Sequence, residues 1–464
     1  MMNNEIEHFL LEVLHRNNIQ PKQDEVDDFV NRLICGLWNR ISKERMDEKI
    51  LIKQAVEATP INLPNGRVGE MYRVEIPFQN NGVEDYSLEG LGATGLSLEK
   101  SDKGFVISGT AQPEDIKGGD YELVIRYKPK GLLPSETWFE RTLHLIINPD
   151  PRTLWKDIPT PHDIDYFKED TQMEYLKVEA IDGIPQKDIV AASQRGRSHA
   201  NEGKPRDDHF KLYHDDATNW YVIAVADGAG SAKYSREGSR IACETVVEHC
   251  KTELAACSQF EDDINLWHLD QGSAEAGKAI SADIYRIVGN AAYNAHKAIN
   301  AEASAKRNSP KDYATTLLLA ICKRFEFGWF VASFWVGDGA MCLYNKDTHT
   351  ATLLGTPDEG EFAGQTRFLT MPDIFQNDFY SRLKCKIVHD FTALLLMTDG
   401  VSDPKFETDA NLQNVDKWDD LWNDLKENGV ELTDDNEKSQ EQLLEWLKFW
   451  SRGNHDDRTI AILY

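Results

Sequence analysis

The sequence predicts an α+β protein in which a helical segment, an all-β domain and a layered domain of strands and helices follow one another. Three observations support this prediction. Apolar residues first recur at helical spacing, then short alternating runs are separated by Gly and Asn, and from about residue 186 apolar strands alternate with long helical stretches. At 464 residues the chain is also too long for one typical core, so two or three domains are expected.

Residues 1–58 are predicted to form a helical N-terminal segment. Val26, Phe29 and Val30 recur at the spacing of one helix face, and earlier apolar residues do the same. Pro60 follows the last predicted helix, and proline lacks the backbone N–H that a helix interior needs. Two or three small helices are therefore expected, and the sequence leaves their role open.

Residues 60–148 are predicted to form a β-sandwich, because short strand-like runs and turn residues alternate at regular intervals. The candidate strands are 72–76, 105–107, 121–127 and 142–147. The stretch 104–110, followed by 119–123, resembles the immunoglobulin-like or cadherin-like repeats of bacterial proteins. Domains of that kind bind partners or act as spacers, and this stretch contains no pattern typical of catalysis.

Residues 149–185 are interpreted as a linker because several prolines interrupt them, and residues 186–464 are expected to form the layered domain. Its longest helical stretches are 234–257, 275–304 and 437–451. Residues 258–274 and 402–436 are polar and irregular enough to be surface insertions. Helices packed outside mostly antiparallel strands give an α+β layered fold.

The composition excludes some partners. A formal net charge of −27 argues against binding to nucleic acid or to an anionic membrane, because polyanions would be repelled. No stretch approaches the ~20 apolar residues of a membrane span, and the N-terminus does not have the pattern of a signal peptide. The seven cysteines form no C-x-x-C pair. A soluble, reduced, cytoplasmic protein is expected.

Four short acidic segments each place a carboxylate at the end of an expected strand. Two of them consist of an apolar run followed by Asp-Gly, at Asp227 and at Asp399, and the others contain Asp208 and Asp456. A carboxylate where a buried strand emerges is costly to desolvate unless it is paired or binds a cation. Oxygen ligands of this kind suit Mg²⁺ or Mn²⁺, which indicates phosphate chemistry. An isolated Asp-Gly pair, however, is often only a turn.

Five motifs occur in an order that resembles the protein phosphatase 2C family, the metal-dependent serine/threonine phosphatases, and especially its bacterial branch. The resemblance covers residues 186–464. The motifs are Asp227-Gly228-Ala229-Gly230, Ala314-Thr315-Thr316-Leu317, Val336-Gly337-Asp338-Gly339-Ala340, Thr398-Asp399-Gly400-Val401-Ser402-Asp403 and Asp456-Asp457-Arg458-Thr459-Ile460. Each is weak alone, and together they are specific.

The resemblance implies an α-β-β-α sandwich with two ions, Mg²⁺ or Mn²⁺, in a cleft at one end, and a third in many bacterial members. It also implies hydrolysis of phosphoserine and phosphothreonine in proteins by a water activated between two metals. The expected substrate is a phosphorylated protein, such as a cognate Ser/Thr kinase or its target, in signal transduction. The N-terminal domains would bind a protein partner.

Particular residues take the family's roles by resemblance. Asp227, Asp399 and Asp456 would be the catalytic metal-binding carboxylates, with Asp227 bridging both ions. The full set of expected ligands is Asp208 (through water), Asp227, Gly228 (through its carbonyl), Asp399 and Asp456, with Asp338 and Asp403 for the third ion. Asp457 is expected to make a hydrogen bond in its loop.

The chain departs from the family where the substrate phosphate is gripped. The arginine five residues before the first aspartate is replaced by Gly203. His199 and Arg206 are the proposed phosphate-binding substitutes, and Arg195 and Arg197 are the other candidates. A guanidinium grips phosphate better than an imidazole does.

The general acid of eukaryotic members is also absent, since Ala229 stands at the position of their histidine. Protonation of the leaving group would then fall to a metal-bound water or to His199, His209 or His455. The missing arginine leaves a second hypothesis open, a catalytically weak pseudophosphatase that scaffolds a phosphoprotein. A third is a phosphohydrolase of small phosphate esters.

Overall fold

The structure, a computed structural model, describes residues 2–464 apart from 18, 79–81, 102, 113–117, 131–136, 151–153, 182, 257, 359–365 and 377–378. The chain divides into two compact units, Met1–Leu154 and Trp155–Tyr464. The boundary lies inside the predicted linker, 149–185. Residues 155–185, however, belong to the second unit and include a strand at Thr171–Leu176. The prolines correctly indicated irregular structure, but they gave no sign that residues 155–185 pack with the rest of the second unit.

The first unit begins with two helices, α1 (Met2–Arg16) and α2 (Gln23–Ala58), in the segment predicted to be helical. The helices contact each other, and Val26 and Val30 on α2 are buried. α2 spans 36 residues, which is longer than the small helices expected. Its last turns reach the β-domain, where Val56 joins the apolar core.

Among the residues that the structure describes, seven strands form the all-β part of the first unit. They are β1 (Gly66–Arg67), β2 (Met71–Pro77), β3 (Val83–Glu89), β4 (Ser97–Ser101), β5 (Gly104–Thr110), β6 (Gly119–Pro129) and β7 (Phe139–Asn148). One sheet has the order β1-β7-β6-β3 and the other β2-β5-β4. Ile107 of β5 and Leu123 of β6 are fully buried in one core shared by both sheets. All four predicted strands are present, whereas the likeness to immunoglobulin repeats stays a prediction.

In the described part of the second unit, eleven strands form two antiparallel sheets. They are β8 (Thr171–Leu176), β9 (Ile189–Gln194), β10 (His209–His214), β11 (Tyr221–Ala226), β12 (Leu317–Phe325), β13 (Gly328–Val336), β14 (Ala340–Asn345), β15 (Thr350–Leu353), β16 (Leu383–Val388), β17 (Ala393–Met397) and β18 (Arg458–Leu463). The first sheet has the order β10-β11-β12-β13-β16, and the second β15-β14-β17-β18-β9-β8.

Helices cover the outer face of each sheet. They are α3 (Arg197–Glu202), α4 (Ser235–Ala255), α5 (Ser258–Leu269), α6 (Ala274–Ile284), α7 (Asn290–Lys306), α8 (Asp399–Phe406), α9 (Val415–Glu427) and α10 (Ser439–Trp446), with a π-helical turn at Tyr285–Gly289. Along β11, Ile223 packs between the sheets while Val222 and Ala224 face the helices, as the two-residue period of a strand requires. On the second sheet, Leu395 of β17 lies in the core that Leu443 of α10 joins. The layers therefore follow the order helix, sheet, sheet, helix.

Two stretches predicted to be surface insertions are helical instead. Residues 258–274 contain α5, on which Phe260 and Ile264 are buried, and 402–436 contain α9, on which Trp418 is buried. Both helices bury only a narrow apolar stripe and are acidic elsewhere, so their average composition resembles that of a loop. In the part of the chain that the structure describes, no helix combines the length and apolar character needed to span a bilayer.

Replacing Ile107 by Ala is expected to lower the local free energy of unfolding of the first unit by about 2–5 kcal/mol, because it opens a cavity in a fully buried core. Hydrogen exchange of the β6 amides, followed by mass spectrometry, measures this change. The control is Ile146→Ala on β7, where the side chain is 43% exposed and the loss should stay below about 1 kcal/mol. Equal losses in the two variants would contradict the assigned core.

Candidate metal centre

The strand registers bring the acidic segments to one end of the two sheets. His209 pairs with Ala226, so Asp208 and Asp227 lie at the same end of β10 and β11. Met397 pairs with Ile460 in the other sheet, and Asp399 therefore lies near the segment that precedes β18. Antiparallel pairing alternates strand ends with strand starts, which is why motifs both before and after strands meet here.

Three carboxylates form the centre of the site. Asp227, Asp338 and Asp399 each offer one oxygen, and these oxygens all lie within 4.8 Å of one another. The main chain of Asp227 is fixed by Thr316: its N–H donates to Thr316 Oγ1 at 2.9 Å, and its carbonyl accepts from the Thr316 N–H at 2.8 Å. The threonine motif thus holds the backbone from which the Asp227 carboxylate projects.

Asp208 is buried and held by hydroxyl groups. Its Oδ2 accepts from Thr398 Oγ1 at 2.9 Å and from Thr459 Oγ1 at 2.6 Å. Thr398 immediately precedes Asp399, and Thr459 follows the acidic segment before β18. The two threonines therefore fix Asp208 relative to segments almost 200 residues or more away in sequence, and sequence reasoning missed the role of their hydroxyls.

Close backbone approach explains two glycines of the motifs. Gly337 has φ of +112°, and a Cβ there would lie 2.5 Å from Cβ of Thr316. A Cβ on Gly400 would lie 1.8 Å from the carbonyl oxygen of Asp457. Side chains at either position would push apart segments that carry the aspartates.

The remaining predicted ligands lie at the rim. Asp456 is exposed, and its Oδ1 accepts from the Asp457 N–H at 2.8 Å. Asp403 is also exposed, and its Oδ2 lies 3.5 Å from Nδ2 of Asn454. Neither is among the three carboxylates that lie within 4.8 Å of one another. Desolvation, and after it the charge of nearby aspartates that include Asp338, raises the pKa of each carboxyl.

The electrostatics of the site favour a cation. Burial, and then the charge of neighbouring aspartates, raises the pKa of Asp227 and of Asp399 well above the ordinary value. Burial and the nearby Asp457 raise the pKa of Asp208 to about 7. One buried oxygen each of Asp338 and Asp399 has no hydrogen-bond donor among the described residues. Carboxylates with free lone pairs in a repulsive cluster fit a hard divalent cation well.

Asp457 organises the loops around this cluster. Its Oδ1 accepts from the Gly196 N–H at 2.6 Å and lies 3.0 Å from Nδ1 of His199, while its Oδ2 accepts from the Asp207 N–H at 2.5 Å. Asp457 was expected to make a hydrogen bond in its own loop, but its carboxylate instead bonds to two segments more than 240 residues away in sequence. Burial opposes the charge of Asp457, but His199 and the backbone donors hold the pKa of Asp457 below its ordinary value.

His199 lies between carboxylates instead of facing an open cleft. Its Nε2 is 3.7 Å from Asp207 Oδ2, and its Nδ1 faces Asp457. Burial opposes protonation, yet Asp457 and then Asp207 raise the pKa of His199 to about 9. Both ring nitrogens are turned toward carboxylates, so this arrangement gives no support for phosphate binding or proton donation by His199.

The contacts of Arg206 also argue against its predicted phosphate-binding role. Arg206 is 2% exposed, and its Nη1 donates to Ser193 Oγ at 2.5 Å and to the carbonyl of Asp208 at 2.8 Å. Its guanidinium therefore supports the backbone of the acidic segment. Arg195 is similarly engaged, since its Nη2 lies 2.7 Å from Asp157.

Arg197 was a further candidate for phosphate binding. It is half-buried at the start of α3, and its guanidinium carbon lies 4.9 Å from the centre of the Trp450 ring. Its charge contributes to the lowered pKa of His455, after the larger effect of burial.

The other histidine proposed as a general acid, His209, is nearly enclosed, and burial lowers the pKa of His209 well below its ordinary value. Neither histidine is therefore a source of an imidazolium proton at neutral pH.

Comparison with known proteins gives one family. A sequence model described as "Protein phosphatase 2C" matches residues 195–448. A bacterial serine phosphatase is 14% identical, with 59% of this chain and 96% of that chain covered and a TM-score of 0.34. The S. agalactiae serine/threonine phosphatase is 13% identical over 63% and 99%, with a TM-score of 0.35. The Mycobacterium tuberculosis serine/threonine phosphatase PstP/Ppp is 16% identical over 60% and 98%, with a TM-score of 0.32. No curated protein matches the chain.

Without a divalent cation, the second unit is expected to lose stability as the pH rises. The pKa of Asp208 is about 7 in the folded chain, against about 3.9 for an ordinary unfolded aspartate. Between these values the folded chain holds more protons, so the free energy of unfolding falls with rising pH. Asp399, whose pKa is also raised, should add to this slope.

Thermal denaturation in excess EDTA at about pH 5 and about pH 8 tests this expectation. Asp399→Asn should raise the Tm at the higher pH by about 2–4 °C, the shift that about 1 kcal/mol produces in a domain of this size. Asp262→Asn, at an exposed position on α5, should leave the Tm unchanged. A wild-type pH slope in the Asp399→Asn variant would contradict the prediction.

Proposed function

This chain belongs to the protein phosphatase 2C family, whose model matches more than half of its length, and we propose that it hydrolyses phosphoserine and phosphothreonine in proteins. The observation that carries the proposal is the group of Asp227, Asp338 and Asp399 with oxygens within 4.8 Å of one another. Such a cluster is unfavourable by itself, and a divalent cation would relieve its repulsion. Mg²⁺ or Mn²⁺ fits an all-oxygen site.

Two cations would be held by the carboxylates of the motifs. The proposed ligands are Asp227, Asp399, Asp456 and the carbonyl of Gly228, with Asp208 acting through water and with Asp338 and Asp403 holding a third ion. When bound, such ions lower the pKa of a coordinated water and offset the charge of the phosphoryl oxygens. Asp456 and Asp403 lie at the exposed rim, where a phosphate group approaching from solvent would arrive.

The chain's own task in this reaction is to hold the ligands in place. Thr398 and Thr459 orient Asp208 through two short hydrogen bonds, and Thr316 fixes the main chain of Asp227. Asp457 draws the Asp207 and Gly196 loops together. Ligands fixed in this way need little rearrangement when charge develops on the substrate, which is the requirement for electrostatic catalysis.

We propose Arg197 as the residue that grips the substrate phosphate. Arg197 is half-buried and stacks near Trp450, which would orient its planar guanidinium for two parallel hydrogen bonds. Arg197 directly follows Gly196. A Cβ on Gly196 would lie 2.3 Å from the carbonyl carbon of Asp456, so the chain just before Arg197 packs closely against the segment of a proposed ligand.

A scaffolding role is the second candidate function. It is favoured by the internal engagement of His199, Arg195 and Arg206, all of which were candidates for phosphate binding. In that case the chain would hold a phosphoprotein without turnover. The first unit would bind a protein partner in either case, and it exposes apolar side chains on its helices, such as Phe9 and Phe29.

Hydrolysis of a phosphothreonine peptide is expected to require Mn²⁺ or Mg²⁺ and to fall at least about 100-fold in Asp227→Asn and in Asp399→Asn, because each removes a proposed ligand. Release of inorganic phosphate measures the rate. The exposed Asp262→Asn variant on α5 serves as the control and should retain full activity. Wild-type turnover in both ligand variants would remove the assignment.

Calorimetric titration with Mn²⁺, combined with an assay of phosphopeptide hydrolysis, separates the two candidate functions. An enzyme of the proposed kind binds the ion and turns over, whereas a scaffold shows no turnover on any peptide. Hydrolysis of small phosphate esters but of no phosphopeptide would instead favour a metabolite phosphohydrolase.

Arg197→Ala is expected to raise the KM for a phosphothreonine peptide and for p-nitrophenyl phosphate by about 10–100-fold, since a hydrogen bond to a charged group contributes about 1.5–3 kcal/mol. Steady-state kinetics at saturating Mn²⁺ measure the change. Arg197→Lys should restore the KM only in part, because a lysine amino group cannot form the two parallel hydrogen bonds of a guanidinium. Arg73→Ala, at an exposed position on β2 of the first unit, is the control. An unchanged KM in Arg197→Ala would exclude this residue as the phosphate grip.

A further inference from the structure

A segment ahead of the second unit's main sheets runs along the acidic end of the site. We call residues 157–170 the strap. Both ends of the strap are held by Arg195: its Nη2 lies 2.7 Å from Asp157 Oδ1 and 3.1 Å from Asp170 Oδ2. Its Nη1 also donates to Thr160 Oγ1 at 2.7 Å. One buried guanidinium thus clasps the strap at three places.

The middle of the strap is attached to the helical layer. The carbonyl of Tyr166 accepts from Arg236 Nε at 2.9 Å, and the Tyr166 hydroxyl lies 3.0 Å from that of Tyr313 and donates to Glu302 at 2.7 Å. Tyr313 lies just ahead of the threonine motif that fixes Asp227. The strap is therefore anchored along its length to the elements that build the site.

From this anchored segment, Lys168 reaches beneath the acidic loop. Its amino group donates to the carbonyl of Asp208 at 2.9 Å, to Ser239 Oγ at 3.2 Å and to the carbonyl of Asp207 at 3.4 Å. Ser239 in turn donates to the Asp207 carbonyl at 2.5 Å. These contacts use the three hydrogen-bonding positions that a lysine amino group offers.

The Asp207–Asp208 peptides are consequently held from both sides. Asp457 accepts from the N–H of Asp207, while Lys168 and Arg206 donate to the carbonyl of Asp208. A backbone gripped at its donors and its acceptors cannot rotate without losing several buried hydrogen bonds, each of which is expensive to leave unmade. These backbone hydrogen bonds restrict the direction in which the Asp208 side chain projects.

We propose that Lys168 is a positioning residue that sets the affinity of the site for divalent cations, by fixing the backbone from which Asp208 projects. The inference rests on the proposed function, because it presumes that the carboxylates bind a cation. Groups that orient metal ligands typically change metal affinity 10–100-fold when they are removed. The strap precedes residues 195–448, so this device lies outside the stretch that the family model matches.

The test is calorimetric titration of the full chain with Mn²⁺ alone, at a temperature well below the Tm. Lys168→Met is expected to raise the Kd about tenfold. With a phosphopeptide substrate, the Mn²⁺ concentration for half-maximal rate should rise by a similar factor while kcat at saturating Mn²⁺ changes little. A residue that only stabilised the fold would lower the Tm and leave the Kd unchanged.

The matched control is Lys323→Met. Lys323 is also largely buried, pairs with Glu261 at 2.5 Å and lies toward the far end of β12 from the site. Its loss should lower stability without altering Mn²⁺ affinity. If Lys168→Met does not fold, Ser239→Ala removes one of the amino group's acceptors and should raise the Kd about threefold.

An unchanged Kd in the Lys168→Met variant overturns the inference, and so does a lower Kd, which would mean that the positive charge of Lys168 merely repels the ion. Where only the serine variant folds, an unchanged Kd has the same meaning. If the wild-type chain binds no Mn²⁺, the proposed function itself fails. The two failures are therefore distinguishable in one set of titrations.

Discussion

Mutual repulsion among carboxylates is the constraint on which the rest of this structure depends. The antiparallel registers bring Asp208, Asp227 and Asp399 to one end of two sheets, and burial raises the free energy of their charged forms further. A site of this kind holds together only if the surrounding protein supplies rigid attachment. The hydroxyls of Thr398 and Thr459 and the close packing at Gly400 provide it.

Asp457 shows how one charge in such a cluster can be favourable. It is buried among acidic neighbours, yet it accepts from backbone N–H groups of two loops and faces His199. The free energy of a buried carboxylate depends on how many donors reach it. The pKa is therefore lowered for Asp457 but raised for Asp227 and Asp399. Asp457 ties the loops together, while Asp227 and Asp399 are the proposed ligands of a cation.

Much of the layout could be predicted from sequence, because it depends on local patterns. The apolar runs before Asp227 and Asp399 form buried strands β11 and β17, and the helical stretches cover the sheets. The acidic helices α5 and α9 were missed, since a narrow apolar stripe is hard to see in a charged segment. The prolines that suggested a linker over 149–185 do not reveal that β8 lies within that stretch and pairs with β9.

The partners of individual side chains could not be predicted. Arg206 stands next to the acidic pair in sequence, which suggested a grip on phosphate, but the fold turns its guanidinium to Ser193 and the Asp208 carbonyl. The hydroxyls of Thr398 and Thr459 reach Asp208 across 190 and 251 residues of sequence. Pairings over such separations are set by the stacking of the two sheets, which no local pattern records.

The early strand β8 has a consequence for how the chain can be divided. A fragment that began at residue 186 would keep every proposed ligand, but it would lack β8 and would leave β9 as an unpaired edge of its sheet. Exposed edges of this kind invite pairing between molecules and aggregation. The smallest autonomous piece of the molecule that carries the aspartates is therefore expected to begin near Trp155, where the second unit starts.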